Sequence, residues 1–250
     1  IKLQGYMPRI NSDMKLFEIS PIPPERFTPQ PSLKGLRKLE KHPGEKAEKI
    51  GAGNYASAWS TKTEPGTVRK VVTDISDPTN DAYFQYVRMI TKNERLSKNP
   101  YFPKIYDVQV VKDKLFDLPT YSYYVDMERL HSMSTLNDEE ALTIGRNLID
   151  GFDSWRNQTH EGTKMYSNPA KALVGYIMRM VSPRFLAKGN RLLDNIKDPN
   201  LKQALMFIKS VLRQNDRFFT DVHNENIMVR RGRHAPQLVF TDPLGGGTLS

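Results

Sequence analysis

Cysteine is absent from the 250 residues. Disulfide bonds and thiolate zinc sites are therefore excluded, and the expected setting is cytoplasmic. No apolar run approaches the roughly 18 residues that a membrane span needs, and nothing near the start has the layout of a secretory signal. Several enzyme signatures are missing as well. There is no HExxH, and His223 has no second histidine at ligand spacing, which argues against a zinc enzyme. Without a G-x-S-x-G elbow a serine hydrolase has no nucleophile turn. No Gly-Lys-Ser/Thr follows Gly51 and Gly53, so these glycines do not open a Walker loop. The chain carries no internal repeat, RNA-binding signature or zinc-finger spacing, so a sequence-specific reader of nucleic acid is not expected.

What is present suits a soluble globular protein. The chain is 38% hydrophobic and 26% charged, and long enough for one large domain or two smaller lobes. Its formal charge is +9, which suits an anionic ligand such as a nucleotide and equally serves solubility. Residues 1–45 read as a proline-rich, basic arm, because PIPPERFTPQP can form neither a regular helix nor a central strand. Residues 46–130 read as a β-rich lobe and residues 131–250 as a mostly helical lobe, an α+β organisation.

The first lobe opens with AEKI, a Gly-rich turn, ASAWS, a Pro-Gly turn and TVRKVVT. Alternation in the last of these puts Lys70 on one face with Val68 and Val72. The stretch DAYFQYVRMITKNERL has helical spacing at Tyr83, Val87, Ile90 and Glu94, and YDVQVV and YSYYVDM read as strands. In the second lobe, Asn137 and Glu140 form a capping-box pattern for a helix expected to run to about Trp155. An apolar stretch at ALVGYIMRM, an amphipathic helix at NLKQALMFIKSVLRQ, and short strands at IMVR and QLVFTD follow.

Chemistry concentrates in four places. Glycines at 51 and 53 would let backbone amides approach a phosphate, although most such turns are plain hairpins. Lys70 on an apolar face needs a partner or must reach out to solvent. Asp221 and Asn226 in DVHNENIMVR, with Asp242 ending QLVFTD, supply the few oxygens that magnesium takes beside phosphate. Either aspartate alone is equally well explained as a turn residue. All four features in this order are what phosphate gripping and phosphoryl transfer require.

On these residues the chain resembles the protein-kinase-like superfamily over roughly residues 47–245. The shared pieces GAGNYASAWS, PKIYDV, DVHNENIM and FTDP are similar to those of early-gene serine/threonine kinases of short-tailed lytic bacteriophages. The resemblance implies a two-lobed kinase-like fold and an ATP- and magnesium-dependent enzyme acting on protein Ser/Thr hydroxyls, host proteins among them. It implies Asp221 as catalytic base, Asn226 and Asp242 as magnesium ligands, and Lys70 with Gly51 and Gly53 on the phosphates. Met127 and Glu128 of MERL would meet adenine at the hinge. The D-x-H-x-x-N form, with His223, is closer to aminoglycoside and atypical kinases than to eukaryotic ones. A small-molecule phosphotransferase and a pseudokinase-like binding module therefore stay open.

Several positions depart from the pattern. Ala56 replaces the third loop glycine, Ala58 the adenine-covering valine, and Phe219 the first histidine of the catalytic loop. No glutamate lies mid-helix to pair with Lys70, so Gln85 or Asp81 are the substitutes to consider. Asp242 is followed by Pro-Leu-Gly, and the sequence stops at Ser250, before any activation segment. A fragment of a longer protein and a reduced helical lobe are both consistent with that.

Overall fold

A computed structural model describes residues 48–52, 56–60, 65–115, 118–160, 163–182, 186–232 and 235–246. The proline-rich arm and Gly53 lie outside the described residues. The chain begins with strands β1 (Glu48–Ala52), β2 (Ala56–Ser60) and β3 (Thr67–Ile75). Helices α1 (Ala82–Lys92) and α2 (Glu94–Ser97) follow, then β4 (Ile105–Leu115) and β5 (Leu118–Glu128). These strands form one antiparallel sheet in the order β1-β2-β3-β5-β4.

The alternation read in TVRKVVT has a direct structural counterpart. Val72 joins the main core, whereas Val71 packs with Val111, Tyr124 and Trp59 on the opposite face of the sheet. Asp81 caps α1 by accepting from the Phe84 N–H at 2.7 Å, and Tyr83, Phe84, Tyr86, Val87 and Ile90 are buried. The helical stretch does not continue to Glu94. Asn93 leaves the helical conformation and caps α2, so Glu94 sits on a separate, exposed turn paired with Lys98.

Beyond Glu128 the chain becomes mainly helical. Strand β6 (His131–Ser132) precedes α3 (Asp138–Leu148), whose N-terminus has the full Asn137–Glu140 capping box. The helix stops well short of Trp155. Ile149 turns extended to bridge Ile196, and Gly151 takes φ 71°, a left-handed conformation that a Cβ disfavours. Helix α4 (Phe152–Arg156) starts afresh and is followed by the hairpin β7 (Thr159–His160) and β8 (Thr163–Lys164).

Helices α5 (Pro169–Val181), α6 (Leu186–Asp194) and α7 (Pro199–Gln214) come next. Four short strands finish the described chain: β9 (Phe219–Thr220), β10 (Ile227–Arg230), β11 (Gln237–Phe240) and β12 (Leu244–Gly245). Strand β10 pairs with β11 and β6, and β9 pairs with β12. One continuous core, from Val72 through Tyr86, Ile177 and Ile208 to Leu244, runs through both the sheet and the helical part. Among the described residues no helix is long and apolar enough to cross a membrane.

Candidate active site

The loop between β9 and β10 is polar but anchored by apolar neighbours. Val222 and Ile227 are buried, while the Asp221 side chain remains 39% exposed. The loop closes on itself through Asn226. Its Nδ2 donates to the Asp221 backbone oxygen and to Asp221 Oδ2, both at 2.8 Å, and its N–H donates to the His223 oxygen. The Glu225 N–H donates to His223 Nδ1 at 3.2 Å. The other ring nitrogen lies 2.9 Å from Asn226 Nδ2 and 3.5 Å from Asp221 Oδ1. His223 thus orders this turn from within.

The same loop is tied to the segment that carries Asp242. Thr241 N–H donates to the Asn226 oxygen at 3.0 Å, and Asp221 N–H donates to the Pro243 oxygen at 3.0 Å. The β9–β12 pairing continues this link, with Gly245 opposite Phe219. Close approach requires the glycines there. A Cβ on Gly246, whose φ is 117°, would lie 2.4 Å from the Arg217 oxygen. Phe219 packs its ring against Gly245 and stays 57% exposed.

Asp242 meets the sheet through Lys70. Lys70 Nζ donates to Asp242 Oδ2 at 2.6 Å, with both side chains largely covered. The second carboxylate oxygen, Oδ1, is buried and has no hydrogen-bond partner among the described residues. Burial pushes the Asp242 carboxyl above its ordinary range; Lys70 opposes that shift, and Asp221 and Asp81 add to it. The Lys70 ammonium also lies 3.5 Å from the ring centroid of Tyr83 on α1. Neither candidate substitute for a helix glutamate reaches it by a hydrogen bond. Asp81 caps α1 and accepts from Tyr123, and Gln85 donates to the Thr79 oxygen.

Four of the residues singled out from the sequence, Lys70, Asp221, Asn226 and Asp242, are therefore joined in one hydrogen-bonded constellation. The others stand differently. Gly51 lies on β1, and a Cβ there would touch Ala58 at 3.7 Å, so no close backbone approach among the described residues demands glycine. Met127 is buried in the sheet, paired with Val68 and Ile105. Glu128 is committed elsewhere: both of its carboxylate oxygens accept from Arg230, and its N–H donates to the Lys104 oxygen. Its side chain is a buried joint between β5 and β10. The alternating pattern of YSYYVDME gave no signal of that ion pair, because its partner lies 102 residues on.

The donor set suits a metal that brings its other ligands with it. Among the described residues no group of three or more His, Asp or Glu side chains is placed to hold an ion alone. Magnesium bound with a nucleotide needs only one or two protein oxygens. The orphaned Asp242 Oδ1 is such an oxygen, and the Asn226 amide stands in the linked loop.

No protein-family model matches the chain, and no curated protein matches it. Among solved structures, similarity is found to the apo form of a thermostable mutant of aminoglycoside phosphotransferase APH(4)-Ia, at 12% identity and TM-score 0.34, over 86% of this chain and 73% of that one. A GDP and kanamycin complex of APH(2")-IIIa is similar at 10% identity and TM-score 0.33, over 84% and 72% respectively. Scores of this size leave the function to be derived from the chain's own residues.

Proposed function

We propose that this protein is an ATP- and magnesium-dependent phosphotransferase acting on hydroxyl groups, with its nucleotide held between the sheet and the helical part. The observation that supports this best is the linkage of Asp221, Asn226, Asp242 and Lys70 from three separate chain regions into one cluster. A turn cap explains Asp221 alone, but it does not explain a buried carboxylate oxygen of Asp242 that has no partner among the described residues.

In this reading Asp221 takes the proton of the acceptor hydroxyl as its oxygen attacks the γ-phosphorus. The bond from that phosphorus to the bridging oxygen breaks, and ADP leaves with the electron pair. Asn226 fixes the Asp221 carboxylate by donating to Oδ2, and Oδ1, which lies 3.5 Å from His223 Nε2, is the oxygen that takes the proton. Lys70 exchanges its bond to Asp242 for the nucleotide phosphates, and Gly51 with Gly53 covers them. Asp242 and Asn226 would hold magnesium, which supplies neutralisation of phosphate charge. Met127 would lie beside the adenine.

The acceptor we favour is the Ser/Thr hydroxyl of a protein, host proteins among them, on the motifs shared with phage kinases. A small-molecule hydroxyl is the second reading, supported by the D-x-H-x-x-N loop that His223 orders. Purified protein incubated with γ-labelled ATP and magnesium, once with a cell lysate and once with a panel of small polyols and aminoglycosides, separates them. Label on protein Ser/Thr supports the first, and label on a small hydroxyl compound the second. Nucleotide binding without transfer to either would replace both with a binding module.

A further inference from the structure

The lysine that would grip the phosphates has no acidic partner on α1, yet its ammonium is well placed. Tyr83 is buried on α1, and Lys70 Nζ sits 3.5 Å from its ring centroid, within cation–π contact. Resting on the phosphotransfer reading, we propose that the ring of Tyr83 is the positioning residue for Lys70, in the role that a helix carboxylate would otherwise fill.

Three further observations carry this. First, the acidic or polar groups nearest in sequence are already used: Asp81 by Phe84 and Tyr123, and Gln85 by Thr79. Second, α1 is fastened to the segment that delivers Asp242. The Tyr86 hydroxyl donates to the Phe240 oxygen, and the Ala82 N–H donates to the Gly246 oxygen at 3.3 Å. The ring is thereby held in register with both members of the Lys70–Asp242 pair. Third, the Tyr83 ring is stacked against Tyr123 of β5 with centroids 6.3 Å apart, so it is braced from the sheet side as well.

The chemistry differs from that of a carboxylate partner. A carboxylate would neutralise the ammonium permanently. A ring attracts the cation through its quadrupole but leaves the full charge for phosphate oxygens. When Asp242 turns to a metal, Lys70 therefore keeps its place without a competing anion.

Binding of MgATP and of adenosine is measured by calorimetry for the wild type, Tyr83→Phe, Tyr83→Leu and Lys70→Met, and for Tyr83→Leu combined with Lys70→Met. Tyr83→Leu is expected to weaken MgATP binding about tenfold, the upper part of the cation–π range, and to leave adenosine binding unchanged. Tyr83→Phe should bind like the wild type, and in the Lys70→Met background Tyr83→Leu should add nothing. An equal loss with adenosine, an additive loss in the double variant, or a Tyr83→Phe defect as large as that of Tyr83→Leu would overturn the role. Should Tyr83→Leu not fold, the wild type itself answers. The Lys70 ε-methylene protons should show an upfield ring-current shift that persists with MgATP bound, and its absence there overturns the role. A wild type that binds no MgATP would instead overturn the phosphotransfer reading beneath it.

Discussion

Among the described residues, two covered ion pairs join the sheet to the C-terminal segment, and they are built to different standards. In Glu128–Arg230 every polar group is occupied. Both carboxylate oxygens accept from the guanidinium, Oε1 also accepts from the Lys104 N–H, and Arg230 donates further to the Pro100 and Phe102 oxygens. In Lys70–Asp242 one carboxylate oxygen is bonded and the other is buried without a partner. A closed network of that first kind resists change and fixes the arrangement of parts. An open one retains unspent bonding capacity, and a buried unpaired acceptor is costly enough to call for a reason. On the proposed function, the contrast separates a joint that holds the halves together from a site that would receive a ligand.

The largest effect should come from opening the second pair. Asp242→Asn is expected to lower magnesium-dependent phosphoryl transfer by roughly 10³-fold or more, since charge stabilisation of this kind is worth several kcal/mol. Circular dichroism should remain that of the wild type. The first pair should respond the opposite way. Glu128→Gln leaves Arg230 covered without an anion and should cost about 3–5 kcal/mol in denaturant unfolding, while folded molecules keep their turnover. Turnover lost in proportion to nothing but Glu128 would erase the distinction between the two pairs.

Asp221→Asn should cut transfer by roughly 10²-fold or more with nucleotide affinity nearly unchanged, because the base meets the acceptor and not ATP. Asparagine can still accept from Asn226 Nδ2, and it caps turns about as well as aspartate, so the melting temperature should hold. Near-normal transfer would return Asp221 to a turn residue.

The smallest effect concerns pH. The raised Asp242 carboxyl means that the fold binds this proton more tightly than the unfolded chain does. Stability from this group is thus present below the ordinary carboxylate range and is lost as pH rises through the raised value. Asp242→Asn should remove that slope and leave the nucleotide-free protein at neutral pH as stable as the wild type or more so. Thermal melts across the acidic range check both. A variant that melts lower at neutral pH would mean that the Lys70 bond outweighs burial.

Much of this architecture was legible because it is local. Strand alternation put Lys70 on the face of Val68 and Val72, and Asn137 with Glu140 announced the start of α3. The helix expected to reach Trp155 was misjudged because its break depends on a distant partner: Ile149 leaves the helix to bridge Ile196. Glu94 fitted the helical spacing, but the Asn93 cap starts a new turn there. The candidate site was legible as residues and not as bonds. Which oxygen of Asp242 is free is set by packing between segments more than 150 residues apart, and the place of Tyr83 beside Lys70 by the packing of α1 against the sheet. The side-chain bond of Glu128 to Arg230 was not legible in MERL, because the partner lies 102 residues on.

The central claim is that Asp242 Oδ1 lacks a protein partner because a magnesium–nucleotide complex takes that place. Binding of a nonhydrolysable ATP analogue to the wild type and to Asp242→Asn, each measured with and without magnesium, tests it directly. Magnesium should tighten binding to the wild type by at least about tenfold, a gain of about 1.4 kcal/mol, and should have no such effect on the variant. The same magnesium dependence in both proteins would contradict the account.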